Sequence, residues 1–506
     1  MLETLDYVAL AGYLLIVASI GLWAGRGQRN TEDYFLGSRA IPWWAAGLSI
    51  LATETSALTF LGAPTQSLFG AWGYVQLAFG SVIARFLVAW VLIPAYYRAR
   101  VFTVYGWLEQ RFGVWTKNAS AALFFVGRSL GSGVRLYGAA IAMVVLVPNL
   151  SFPLVILAIT SVAVIYTIVG GIKSVIWTDV LQGVILLGGG VLAVIFLALD
   201  SKTSFATSID QLHAADKLVW LDLDLDPTKA YTLIGGLVGA CFLTMATHGT
   251  DQDMIQRALT CRDERAGQKS LWLSAFMTIP VVILFLTVGS GLWLHYGGSD
   301  GVAQRVSELA TSYGISQAKA KDYVFPAWVI DALPAGIKGL IFAGLFAAAM
   351  SSLDSAIAAL SSTAVKNVWE PYVDPGRDER HYLRVSRWMA VVFGLVLVTV
   401  AVIVWSAEDR SGAKQGFGVL MLGLKVLTWI FPPLLGVFLV GVLTTRGRDR
   451  TNLIALGAGI ALLMTVEFWG EIGGGARPFS WVWNSMVGCL VTFAIAAMFA
   501  PQEVAE

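Results

Sequence analysis

The chain has 506 residues, with 34 Lys and Arg against 33 Asp and Glu and a formal net charge of +1 at pH 7. Only 13% of residues are charged and the mean hydropathy is +0.71, which excludes an ordinary soluble globule and leaves no basic surplus for a nucleic acid. Apolar runs of about 20 residues recur along the whole length, so the expected fold class is an all-α polytopic membrane protein embedded in a lipid bilayer.

In chain order, the rule of about 20 apolar residues per crossing predicts about thirteen spans. They fall at 5–25, 43–66, 72–97, 119–147, 152–172, 175–199, 232–256, 270–296, 336–365, 382–405, 416–443, 452–469 and 479–499. The first run lacks a basic leader and a small-x-small cleavage site and is read as a retained span. The second, WWAAGLSILATETSALTFLG at Trp43–Gly62, is apolar at both ends and polar in the middle. Thr53, Glu54, Thr55, Ser56 and Thr59 fall near the bilayer centre, where a carboxylate costs at least ~2.5 kcal/mol and so marks a cavity or site. With Gly62–Pro64 just beyond, the pattern predicts an interrupted helix, whose freed carbonyls become ligands. A helix contact glued by small polar residues explains the hydroxyls but not Glu54.

Placing the N-terminus outside puts about twenty of the 34 basic residues in inside loops and about ten in outside loops. That asymmetry predicts N-out and C-in. The 200–231 and 297–335 loops are long enough for surface helices, and Asp300–Tyr323 has helical composition. Only PQEVAE follows the last span, so no appended soluble domain is expected. The second and seventh spans are both broken by polar clusters, ATETS and THGTDQD, and lie five spans apart. This matches an inverted repeat of five plus five helices at 43–199 and 232–443, with 5–25 before it and 452–499 after, all one transporter domain.

Phe346–Thr363 (FAAAMSSLDSAIAALSST) is rich in small and hydroxyl residues. Ser351, Ser355 and Ser362 share one helical face, with Ser352 beside it. Hydroxyls and exposed carbonyls are hard ligands suited to a hard cation such as sodium. A packing face of small residues has the same composition, but Asp354 tips the balance towards function. Asp179 is equally a cation ligand, a proton carrier or an interfacial polar residue. Arg128 and Arg135 lie too deep to snorkel, so at least one needs a carboxylate partner. Thr244, His248, Thr250, Asp251 and Asp253 crowd the break in the seventh span. His248 can contact a solute, relay a proton or cap a helix. His213, His295 and His381 fall in or beside loops, with no ligand partner evident. Cys241, Cys261 and Cys489 have neither metal nor redox spacing. No catalytic constellation or P-loop is present, which disfavours an enzyme, an organic cofactor and ATP-driven transport.

The stretches TEDYFLGSRAIPWWAAGLSILATETSALTFLG, ARFLVAWVLIPAYYRARVFTVYGWLEQRFG, GGIKSVIWTDVLQG, HGTDQDMIQR and LIFAGLFAAAMSSLDSAIAALSSTAVKN resemble the sodium/solute symporters, which include the proline, sialic acid, sugar and monocarboxylate cotransporters. They cover most of 31–370 in order; beyond 380 the likeness is one of hydropathy. The resemblance implies a LeuT-like fold with thirteen spans and a sodium-coupled symporter of the plasma (cell inner) membrane that imports a small polar solute, with no obligate protein partner evident. It implies a sodium site from the carbonyls of Ala52, Thr55 and Ala348 and the hydroxyls of Ser351 and Ser352. By the same resemblance a second cation or proton site falls at Asp179, Ser351, Asp354 and Ser355, with Asp354 where the sialic acid members have serine. Expected solute contacts are Glu54, Ser56, Thr59, Gln76 and His248. Glu54 favours a solute with an ammonium group or several hydroxyls. The sugar contacts of the galactose member are lost at Thr59 and Ala78, and the aromatic residues of the proline members are replaced near Thr244 and His248. The rivals are proton coupling through Glu54, Asp179 or Asp354, and a sensor that binds solute without moving it.

Overall fold

A computed structural model describes residues 2–146, 151–201, 203–410, 419–470, 472–473 and 475–500. The first three residues of the predicted 416–443 span, the last of the 119–147 span and the PQEVAE tail lie outside the described residues. The main helices are α1 (Thr4–Ala24), α2 (Trp43–Glu54), α3 (Ala57–Phe69), α4 (Val75–Arg98), α5 (Val114–Leu146), α6 (Phe152–Asp200), α7 (Cys241–Gly249), α8 (Gln252–Leu259), α9 (Glu264–His295), α10 (Ile337–Ala364), α11 (Glu379–Arg410), α12 (Val419–Leu443), α13 (Asp449–Glu467) and α14 (Asn484–Ala497). Among the described residues there is no strand. Among the described residues seven helices are long and apolar enough to cross a membrane, eight if the pair α2 and α3, bent by 59°, is counted as one span.

Two predicted spans, 152–172 and 175–199, form the single 49-residue run α6. At ~1.5 Å per residue this is about 70 Å, more than twice a hydrocarbon core. Gly171 divides it, with φ 53° and ψ −153°, a conformation that glycine alone tolerates. A side chain there would also strike the Tyr34 carbonyl. The long loops carry the expected short helices, at Phe205–Ala214, Ser299–Tyr313, Gln317–Ala320 and Val324–Ala332.

Helix α10 sits at the centre. In its most apolar window 89% of residues are buried, against 17% for α1, whose Leu5, Leu15 and Trp23 face outwards. With no water to drive apolar surfaces together, close packing of small residues holds such helices. The approach of α4 to the π-helical segment Gly235–Ala240 is the clearest case. A methyl on Gly80 would be driven into the Gly236 carbonyl, and one on Gly236 into that of Gln76. Gly80→Ala is therefore expected to lower the melting temperature by several degrees, on the order of the 1–3 kcal/mol of an overpacked core. Gly12→Ala, which meets nothing within 4 Å, is the control and leaves it unchanged.

Candidate functional site

The site starts at the break in the second span. Helix α2 stops at Glu54; Thr55 (φ −77°, ψ 69°) and the extended Ser56 (φ −81°, ψ 177°) leave helical geometry. Ser56 then caps α3, its hydroxyl accepting from Leu58 N at 3.3 Å. Within the break, Ser56 N donates to Glu54 O (2.8 Å) and Thr59 N to Ser56 O (2.9 Å). The carbonyls of Ala52 and Thr55 thereby lose their usual donors four residues on.

Helix α10 supplies the opposite face. Ser351 Oγ donates to Ala52 O at 3.1 Å and to Ala348 O at 3.3 Å, and Ser352 Oγ donates to Ala348 O at 2.9 Å. One turn on, Thr53 Oγ1 lies 3.2 Å from Ser355 Oγ. Four of the five residues expected to hold sodium are thus linked by hydrogen bonds in a buried seam, and Thr55 is the next residue along the break. Carbonyl and hydroxyl oxygens of this kind suit a hard monovalent cation.

Below the seam lies a buried ionic network. Arg128 pairs with Asp251 and, at 2.9 Å, with Asp253. Arg257 pairs with Asp253 at 2.9 Å and Asp179 at 3.3 Å, and also reaches Ser355. Ser49 completes it, donating to Asp179 at 2.5 Å and accepting from Arg257 Nε at 2.8 Å. The sequence requirement that at least one of the two deep arginines have a carboxylate partner is met by Arg128. Asp354 accepts from Tyr166 OH at 2.5 Å and from Ser355 N at 2.6 Å. Asp179 Oδ1 and Gln182 Oε1, one turn apart on α6, are buried without hydrogen-bond partners.

Above the seam is a cavity with about 1140 Å³ of empty space, its open mouth included. Its walls are Glu54, Thr55, Ser56 and Thr59 of the break; Tyr74, Leu77, Ala78 and Ser81; Arg128 and Arg135 of α5; Thr244, Thr247 and His248 of α7; Thr278, Val281 and Val282 of α9; and Leu427 and Trp481. This mixture of apolar surface and a few convergent polar groups is typical of small-molecule sites.

Of the expected solute residues, Glu54, Ser56, Thr59 and His248 line the cavity and Gln76 does not. Gln76 is fully buried, its amide donating to Tyr231 O (2.9 Å) and Gly73 O (3.2 Å) and its Oε1 accepting from Asp222 N (3.0 Å). Its hydrogen-bonding capacity goes into holding the 222–231 loop, so it is a structural residue. Glu54 is not a free carboxylate either. It pairs with Arg85, fully buried on α4, which also reaches Thr278. The pair is neutral, which removes the reason to expect an ammonium solute. Arg85 only donates, so His248 Nε2, 3.4 Å away, accepts; its ring proton then sits on Nδ1 beside Thr247 Oγ1 at 3.1 Å. His295 does have a carboxylate partner, Asp200 at 2.6 Å, because the loop ends bring two helix termini together.

Ser81 and Thr278, and the pairing of Arg85, escape a reading of the sequence. A basic residue inside an apolar run is visible there, but its partner 31 residues away in sequence is not.

The description "Sodium:solute symporter family" belongs to the family model that matches residues 34–459. The chain is 27% identical over 507 residues to the sodium/sialic acid symporter NanT of Aliivibrio fischeri, covering 98% of this chain and 93% of that one. It is 28% identical over 474 residues to the sodium-coupled monocarboxylate transporter 1 of Homo sapiens (92% and 74% covered). With the sodium/glucose cotransporter of Vibrio parahaemolyticus it shares 27% over 482 residues (92% and 86%). A solved substrate-bound, outward-open structure of a Na+-coupled sialic acid symporter superposes with a TM-score of 0.85 at 22% identity, covering 99% of this chain and 100% of that one. That likeness establishes the shared fold, and the family match covers most of the chain; the chain belongs to the sodium:solute symporter family.

Proposed function

We propose that sodium binding at the break in the second span drives import of a small polar organic solute held in the adjacent cavity. Sodium-coupled symport is the activity for which the family is named. The observation that carries the site is the freed Ala52 carbonyl set 3.1 Å from the Ser351 hydroxyl of α10. An ion held by Ala52, Thr55, Ala348, Ser351 and Ser352 ties α2 to α10 and fixes Thr55, Ser56 and Thr59 on the cavity wall. Coupling follows if ion and solute both prefer the form in which these helices are joined. The cavity wall includes Tyr74 and Trp481, which the span order places at the outer end with the N-terminus outside, and the Arg128–Asp253–Arg257 network joins α5 to α8, so the proposed form in alternating access is outward-facing. The proposed frame is LeuT-like: thirteen spans, with α6 and the broken seventh span counted as crossings, and two inverted five-helix repeats at 43–199 and 232–443. The relatives are named for sialic acid, monocarboxylate and glucose; sodium is common to all three names.

A second cation, sodium or a proton, is proposed at Asp179, Asp354 and Ser355. The buried Asp179, Asp251 and Asp253 share the two arginines Arg128 and Arg257, and Asp354 is held by hydrogen bonds from Tyr166 and Ser355. The unpartnered Asp179 Oδ1 adds free acceptor capacity. Uptake into proteoliposomes tests both sites. In the wild type, sodium in place of choline is expected to start uptake, with a Hill coefficient for sodium above one. Asp179→Asn is expected to bring that coefficient to one. Uptake that ignores sodium and follows an acid-outside gradient would instead identify the proton-coupled form, and binding without uptake the sensor.

A further inference from the structure

We infer that the solute carries a carboxylate and that Arg135 is its receptor. This rests on the cavity being the solute site and adds the chemical class of what enters it. The cavity's arginines differ in their charge partners. Arg85 is matched by Glu54, and Arg128 by Asp251 and Asp253. Arg135 also lines the cavity, and among the described residues no carboxylate lies within ion-pair distance of it. Its Nη1 is buried without a hydrogen-bond partner.

Arg135 is part-buried, and the acids whose charge reaches it, Asp253 and Glu54, are each paired with another arginine, so its guanidinium gains from a counter-charge in the cavity. A guanidinium presents two parallel N–H groups to a planar anion, which a carboxylate accepts as a fork. The hydroxyls of Ser56, Thr59 and Thr244 line the same cavity and suit hydroxyl or amide groups on the rest of the solute. The charge balance also favours coupling. A bound cation and a bound carboxylate offset each other's charge, so each lowers the electrostatic cost of burying the other.

The test is thermal stability of the detergent-purified full chain, as wild type, Arg135→Gln and Arg135→Lys, in sodium or choline chloride. The probes are matched acids and neutral counterparts: lactate and propane-1,2-diol, gluconate and sorbitol, N-acetylneuraminate and its methyl ester, with the acids added as choline salts. At least one acid is expected to stabilise the wild type in sodium where its counterpart does not. Arg135→Gln is expected to weaken that acid about 30-fold or more, the usual loss when one member of a buried charge pair is removed, and Arg135→Lys to recover part of it. Stabilisation by sodium alone is expected to be the same in all three proteins, which reports an intact fold and ion site. A neutral counterpart binding as well as its acid, an unchanged affinity in Arg135→Gln, or no acid binding overturns the carboxylate assignment. Absence of stabilisation by sodium alone in the wild type is a separate result and overturns the sodium site.

Discussion

Replacing Ser351 and Ser352 together by alanine is expected to abolish sodium-dependent uptake in a protein that still folds. The two hydroxyls are two of the five proposed oxygen ligands. At ~1.5–3 kcal/mol for each interaction of a polar group with a charge, losing both lowers sodium affinity by about 100-fold or more. The fold tolerates the change, because alanine is the best helix former and α10 already carries Ala347, Ala348 and Ala349 one turn earlier. A smaller loss of stability in choline is expected as well, about 1–3 kcal/mol, since the buried Ala52 carbonyl loses its donor. Sodium titration followed by thermal stability, with proteoliposome uptake alongside, separates the two effects. A double variant whose half-saturating sodium matches the wild type would remove these serines from the ion site.

Asp253→Asn is expected to be the most destabilising single change in the buried network. Asp253 is fully buried and shared between Arg128 and Arg257, both at 2.9 Å. Asparagine keeps the shape but removes the charge that both guanidinium groups answer to. Removing one partner of a buried pair costs ~3–5 kcal/mol, because the other charge stays buried. Asp251 still serves Arg128 and Asp179 still serves Arg257, so the lower end of that range is expected. The control is Glu370→Gln, which breaks an i,i+4 pair with Lys366 at 2.8 Å. Pairs of that kind are worth ~0.3–0.5 kcal/mol, so this variant should melt with the wild type. Equal melting temperatures for both variants would mean that the network does not bear on stability.

Much of the functional architecture was legible in the sequence because the bilayer constrains composition so strongly. A hydroxyl cluster with a carboxylate in an apolar run can be explained in few ways, and with Gly62–Pro64 beyond it an interrupted second span followed; the stop at Glu54 came from the structure. The face of Ser351, Ser355 and Ser362, with Ser352 beside it, was legible from helical spacing. The ionic partners were not. Arg85, Arg128 and Arg135 look alike in sequence, each a basic residue within a predicted span. Pairing depends on which helices adjoin and at what depth, and those contacts join residues from 31 to 125 apart. Gln76 shows the same limit in reverse. It has the composition of a cavity residue, but the 222–231 loop folds back over it and uses its amide.

The sequence by itself determined the class of protein, the placement of most helices and the two segments where regular helix fails at membrane depth. It did so because hydrocarbon admits only apolar, internally hydrogen-bonded spans, and each exception must have a cause. Only the tertiary structure decided the meaning of the charges. It paired Glu54 with Arg85, joined Arg128 and Arg257 through Asp253, and set Arg135 in the cavity wall with no ion-pair partner among the described residues. Interactions between charges are set by distance and burial, and in a bundle both are fixed by which helices pack together.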